Sequence, residues 1–350
     1  MNGNVILPDE RLIVLLNEWY EQSWENKRKE EIDRLLSSTK NEFLLRYHAL
    51  LSERQKVGRQ NLDDSFEREL AFYYHLYKGN MYFYQRHNRE AEKHFQQAAN
   101  HLSIVENEFA RAEFYYKYAS LYYFTYRIEQ SLDMAKKALM IFEKDPRYVK
   151  RAAHCYIAIG LNFISLKKFT SAEDCLALAW ATAVYEGDMS LQGLICHDLG
   201  LLYKDKGDLA TSIKWLIESM KYIEPDDQTY YLLAEAAYLL GQKGNAKNWT
   251  ENGIKVSQSL GHLDYWHRFQ ILQARFGNAP SEEFAAVLED AITFFVEEGL
   301  WHYVAENGPI LIDFYLKSQR NDEAAFYQKL VSKARQKIKA ENHFEDSYSS

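Results

Sequence analysis

The sequence predicts an all-α protein: a tetratricopeptide-repeat right-handed superhelix with a small N-terminal helical bundle. The first observation behind this is a period. Small residues recur at Ala91, Ser131, Ala172, Ser212 and Ala246, then less cleanly at Ala285 and Ala324, in steps of 40, 41, 40, 34, 39 and 39 residues. The second is register. Twelve residues before the first five anchors stand Gly79, Ala119, Gly160, Gly200 and Ala234, and three after those stand Tyr82, Tyr122, Phe163, Tyr203 and Ala237. Small residues where paired helices touch, with aromatics beside them, are the tetratricopeptide signature. The third is composition: 15% of the 350 residues are aromatic, 26 of them Tyr, against only five Pro, so wedging side chains are plentiful and helix breakers rare.

Each unit reads as a helical hairpin that cannot bury its apolar stripe alone and must stack on its neighbours. Asp145-Pro146, Glu224-Pro225 and Ala279-Pro280 mark entries into first helices. Lys206-Gly207-Asp208 and Lys243-Gly244-Asn245 mark turns inside hairpins. The last two units fit the pattern poorly, and Gly308-Pro309 predicts a kink or break in its helix. Residues 1–62 lie outside the period. There Pro8-Asp9-Glu10 opens a helix bearing Leu12, Leu15, Leu16, Trp19 and Tyr20. Further helices are expected over Lys27–Leu36 and Asn41–Val57, joined to the array near Gly58–Asp64. The expected organisation is a bundle over 1–62, a repeat domain of about seven hairpins over 63–340 and a frayed polar tail over 341–350.

Composition narrows the function. A net charge of −8 argues against direct nucleic-acid binding, which rests on clustered Lys and Arg, and favours cationic partners. No run of 18 uncharged apolar residues is present, so no membrane span is expected. The start, MNGNVILPDERL, lacks a secretion signal, and three cysteines (Cys155, Cys175, Cys196) without CxxC spacing suit a reducing cytoplasm. No metal or cofactor is expected: HExxH, GxGxxG and phosphate-loop patterns are absent, and His94 and His101, seven apart, read as a chance pair. Most Tyr and Trp residues read as repeat packing rather than an aromatic cage.

Several stretches resemble the Rap family of Gram-positive regulators, which act on response regulators and are controlled by short secreted and re-imported Phr peptides. Leu16-Asn17-Glu18-Trp19-Tyr20 is similar to the family's first-helix INEWY stretch, and Leu44 through Arg54 to its LxLYYSLLxxR stretch. Phe114-Tyr115-Tyr116-Lys117 and Asn162-Phe163-Ile164-Ser165-Leu166-Lys167 resemble its repeat segments. The resemblance implies a cytoplasmic quorum-sensing regulator of the kind that controls sporulation or competence. It binds a response regulator, is released by a peptide, and in the phosphatase branch hydrolyses phosphoaspartate. Family phosphatases place a Gln just before the second stretch to position the attacking water. Here that position is Glu42, a carboxylate that adds like-charge repulsion toward a phosphoaspartate. The segment from Arg54 to Gly79 is also shorter than in typical members. Family asparagines on the inner face pair with peptide backbone, and an acidic residue takes a basic side chain. By that resemblance the peptide site comprises Asn162, Ser165, Asp198 and Glu235, where the plain alternative is polar residues on a solvated face. The alternative function is a tetratricopeptide scaffold with neither peptide signalling nor catalysis.

Overall fold

The computed structural model describes residues 8–21, 28–57, 62–277 and 281–342. These are α-helical with short 3-10 turns and contain no strand. Among them no helix is long and apolar enough to cross a membrane. The expected junction at Gly58–Asn61, the Ala279-Pro280 turn, the Lys27 helix start and the tail beyond Asn342 lie outside the described residues. The chain forms two compact units, Met1–Lys117 and Tyr118–Ser350.

The first unit holds α1 (Pro8–Glu21), α2 (Lys29–Ser38), α3 (Glu42–Val57), α4 (Asp64–Tyr84), α5 (Asn88–Ala99) and the start of α6 (Glu108–Phe124). Proline at the first position of α1 forfeits only a donor that has no helical partner, and Asp9 and Glu10 complement the helix dipole. Leu12, Leu15 and Leu16 are buried with Phe43, Leu44, Tyr47, Leu50 and Leu51 of α3. Tyr47 is packed against Tyr73 and Tyr77 of α4, at ring-centre distances of 6.3 and 5.9 Å. Its hydroxyl donates to Asn17 Oδ1 at 3.2 Å, so the buried phenol keeps a polar partner. Asp63 caps α4 by accepting from Phe66 N at 2.7 Å.

The second unit continues α6 and adds α7 (Ile128–Phe142), α8 (Val149–Ser165), α9 (Phe169–Tyr185), α10 (Met189–Asp205), α11 (Leu209–Ser219) and α12 (Asp227–Leu239). It ends with α13 (Lys243–Leu260), α14 (Leu263–Phe276), α15 (Ser281–Glu297), α16 (Trp301–Lys317) and α17 (Asn321–Asn342). Consecutive helices pair as hairpins, α8 with α9, α10 with α11 and so on to α16 with α17. All seven anchors are buried on second helices. Where the anchor is serine it also bonds across the hairpin: Ser131 Oγ donates to Ala119 O at 2.9 Å and Ser212 Oγ to Gly200 O at 2.7 Å.

The hairpin turns are regular. Five residues before six of the anchors the backbone is left-handed: Arg86, Tyr126, Lys167, Gly207, Gly241 and Gln319. The next N–H then returns to a carbonyl five residues back, as from His87 to Tyr82 at 2.9 Å and from Asp208 to Tyr203 at 2.9 Å. This is the Schellman termination of a helix. It corrects one expected turn: Lys243, Gly244 and Asn245 lie inside α13, and the reversal falls at Gly241. The break offered as one outcome at Gly308-Pro309 does not occur, because α16 runs continuously through Pro309. Proline removes one backbone donor there. The contact with α17 holds the helix on both sides of it, and Gly308 lets Val331 approach the backbone closely. The last hairpin also reaches the first turn of the same unit. Asn342 Nδ2 donates to Tyr126 O at 3.1 Å, and Tyr126 stacks on His302 with ring centres 5.2 Å apart.

Candidate functional site

Among the first helices of the hairpins, α8, α10 and α12 carry the residues expected to meet a peptide. On α8, Asn162 is fully buried. Its Nδ2 donates to Ser131 Oγ at 2.9 Å and to Ala158 O at 2.8 Å, which leaves Oδ1 buried without a partner. One turn on, half-buried Ser165 hydrogen-bonds the hydroxyl of Tyr123 on α6. Asp198 on α10 is only 2% exposed, and its Oδ2 is a second buried acceptor without a donor. Burial, then the charge of Asp226, pushes its carboxyl well above the usual range. Tyr123 brings these helices into one electrostatic neighbourhood. Burial, then Asp198, raises its phenol, with Asp205 and Tyr303 contributing.

Glu235 on α12 is held differently. Burial alone would raise its carboxyl, but the charge and hydrogen bond of Lys204 outweigh that, helped by Arg268 and Tyr231, and keep it below the usual range. Lys204 Nζ donates to its Oε2 at 2.8 Å, and the Tyr231 hydroxyl to its Oε1 at 3.4 Å. Both residues line a cavity of about 110 Å³ with Arg268, Arg275, Tyr303, Glu306 and Asn307 among its walls.

Of the four expected peptide contacts, Asn162 and Ser165 therefore share one helix, Asp198 joins them through Tyr123, and Glu235 belongs to the neighbouring cavity. Asn162 and Asp198 are interior rather than solvated. Glu42, the expected catalytic position, is exposed at the first turn of α3 in the other unit. Lys204, Arg268, Tyr231 and Tyr303 escaped the sequence reading, because what brings them together is the packing of α10, α12, α14 and α16.

The site has acceptors, phenols and cations but no activated nucleophile. The thiols of Cys175 and Cys196 are raised by burial, the latter to about 11, which leaves them unreactive. No group of His, Cys, Asp or Glu among the described residues is arranged to hold a metal.

No protein-family model matches the chain. It is similar to the regulatory protein RapF of Bacillus subtilis (strain 168), 25% identical over 276 residues that make up 77% of this chain and 71% of that protein. It is also similar to response regulator aspartate phosphatase A of the same organism, 22% identical across 94% of this chain and 96% of that one. Its fold matches the Rap conjugation gene regulator of plasmid pLS20 solved with the Phr* peptide, with a TM-score of 0.74 at 23% identity over 97% of this chain and 99% of that one.

Proposed function

From its similarity to Rap regulators we propose that this chain is a cytoplasmic, peptide-responsive regulator of a response regulator. The observation that carries the reading is the pair of buried side-chain oxygens without a hydrogen-bond partner, Asn162 Oδ1 and Asp198 Oδ2, on successive first helices of a fold shared with a protein solved in complex with the Phr* peptide. A buried acceptor without a donor costs about 1–3 kcal/mol, so a ligand that supplies N–H groups there recovers that cost. An extended peptide offers such donors at regular spacing. Ser165 and Glu235 extend the line of contacts along the repeat domain, residues 63–340.

The target-binding element in this proposal is the bundle of residues 1–62. Similarity to response regulator aspartate phosphatase A supports a response regulator as partner. Peptide bound across several helices favours one packing of the hairpins, and the bundle binds its target in only one of the two states. Neither nucleic acid nor membrane takes part directly. Hydrolysis of phosphoaspartate would place Glu42 beside the water, while the binding-only form of the proposal needs no chemistry there.

The test is capture of phosphorylated response regulators on the immobilised protein, repeated with synthetic pentapeptides from the secreted peptides of the host. Capture of one regulator, relieved by one peptide, supports the reading. Capture that no peptide relieves favours the scaffold function.

A further inference from the structure

The cavity among α12, α14 and α16 contains a cation without an anion of its own. The guanidinium carbon of Arg268 lies 3.9 Å from the centre of the Tyr231 ring, 4.4 Å from Tyr265 and 4.8 Å from Tyr303. Ring faces attract the charge, but they do not satisfy five planar N–H donors. Among the described residues no carboxylate or carbonyl accepts from that fork. Glu235 acts on Arg268 only through its field, because both its oxygens are engaged by Lys204 and Tyr231. Around the cavity stand three cations, Lys204, Arg268 and Arg275, against two carboxylates, Glu235 and Glu306, of which Glu306 is solvent-exposed. The excess positive field registers on His302 of α16: burial, then the charge of Arg268, pushes its imidazole down to about 3.

The cavity, with about 110 Å³ of space and walls drawn from α10, α12, α14 and α16, is of a size to receive a small charged group such as a carboxylate.

We propose that this cavity receives a carboxylate of the bound peptide, held bidentately by the Arg268 fork, with Lys204 and Arg275 alongside and the tyrosine rings shielding it from water. The proposal rests on the peptide-responsive reading and adds the chemical group that the ligand must carry. Planar guanidinium matches carboxylate geometry, and a charge-assisted pair shielded from water is among the stronger polar contacts. The carboxylate can belong to the C-terminus or to an Asp or Glu side chain, and the test separates them.

Two pools of random pentapeptides, one with free-acid and one with amidated C-termini, are incubated with the full-length protein. Retained peptides are identified by mass spectrometry after gel filtration. A terminal carboxylate is indicated if free acids are retained about tenfold or more over their amides. A side-chain source is indicated if the retained amides all contain Asp or Glu. Arg268→Gln is expected to abolish either preference. Arg268→Lys keeps the charge among the rings but loses the fork, and is expected to weaken the preference severalfold in a protein that melts as the parent does. Retention of peptides regardless of any carboxylate, or a preference that survives both substitutions, overturns the proposal while leaving peptide binding intact. Retention of no peptide from either pool overturns the peptide reading together with it.

Discussion

Two glycines at the same repeat position should respond with opposite signs to a single added methyl. Gly160 and Gly200 each stand twelve residues before an anchor, in the middle of α8 and α10. A Cβ at Gly160 would meet its nearest neighbours, Leu176 Cγ, Ala172 O and Cys175 Cβ, at 3.4–3.5 Å, which is ordinary contact. Gly160→Ala therefore keeps the full helix benefit of replacing glycine, about 0.5–1 kcal/mol. A Cβ at Gly200 would fall 2.5 Å from Leu216 Cγ and 2.7 Å from its Cδ2. Leu216 is fully buried and packed with Leu232 and Leu233, so it has no free space to yield. Overpacking costs about 1–3 kcal/mol, which set against the helix gain of about 0.5–1 kcal/mol leaves a net loss of up to about 2.5 kcal/mol. With an unfolding entropy of about 2.1 cal/mol/K per residue, 1 kcal/mol moves the midpoint of a 350-residue chain by about 1.4 °C, so Gly160→Ala should melt about 0.7–1.4 °C higher than the parent and Gly200→Ala up to about 3.5 °C lower. Differential scanning calorimetry of the three proteins reads this directly. Shifts of the same sign in both variants would refute the packing argument.

Asp198 gives a pH test. Its carboxyl is raised in the folded chain, whereas the unfolded carboxyl loses its proton near pH ~4. Above that pH folding takes up a proton, and the contribution turns unfavourable as pH rises. Asp198→Asn should then be more stable than the parent at pH 7 with the gap closing toward pH 4, and a gap constant with pH in urea melts counts against it. Gln319 holds a left-handed φ of 56° at an exposed turn. Gln319→Gly relieves roughly 1–2 kcal/mol of backbone cost and gives back part of it in chain entropy, for a net gain of up to about 1 kcal/mol in thermal melts. For Glu42, removing one charge about 4 Å from a phosphoaspartate in water is worth about 1 kcal/mol. Glu42→Gln should therefore raise the rate of phosphate loss from a captured response regulator by about fivefold, measured with radiolabelled receiver domain. An unchanged rate would remove that position from any hydrolytic role.

The repeat itself was readable because its physics is local and recurrent. A small residue is needed wherever two helices of a hairpin touch, and the same need returns at every unit, so Ala91 through Ala324 stand out without any knowledge of the fold. The aspartate caps follow the same logic. Asp188, Asp208 and Asp226 each accept from an N–H three residues on, at 3.0, 3.1 and 2.8 Å, as their place before an apolar helix suggests. The turns were only partly readable. Gly207 advertises a left-handed residue, but the next turn falls at Gly241 rather than at Gly244, and Arg86, Tyr126, Lys167 and Gln319 adopt the conformation too, because the packing of each hairpin outweighs a local cost of about 1–2 kcal/mol. Pro309 likewise stays inside a helix because its neighbour across the hairpin holds it there.

The candidate site divides the same way. The family resemblance alone brought forward Asn162, Ser165, Asp198 and Glu235. Burial decided what they are: Asn162 and Asp198 are interior acceptors, and Glu235 is already neutralised by Lys204. Arg268 had no signature at all, since a guanidinium becomes an anion site only when its partners are rings rather than carboxylates. Tyr231, Tyr265 and Tyr303 reach it from three helices, and only the stacking of those helices determines that no carboxylate does.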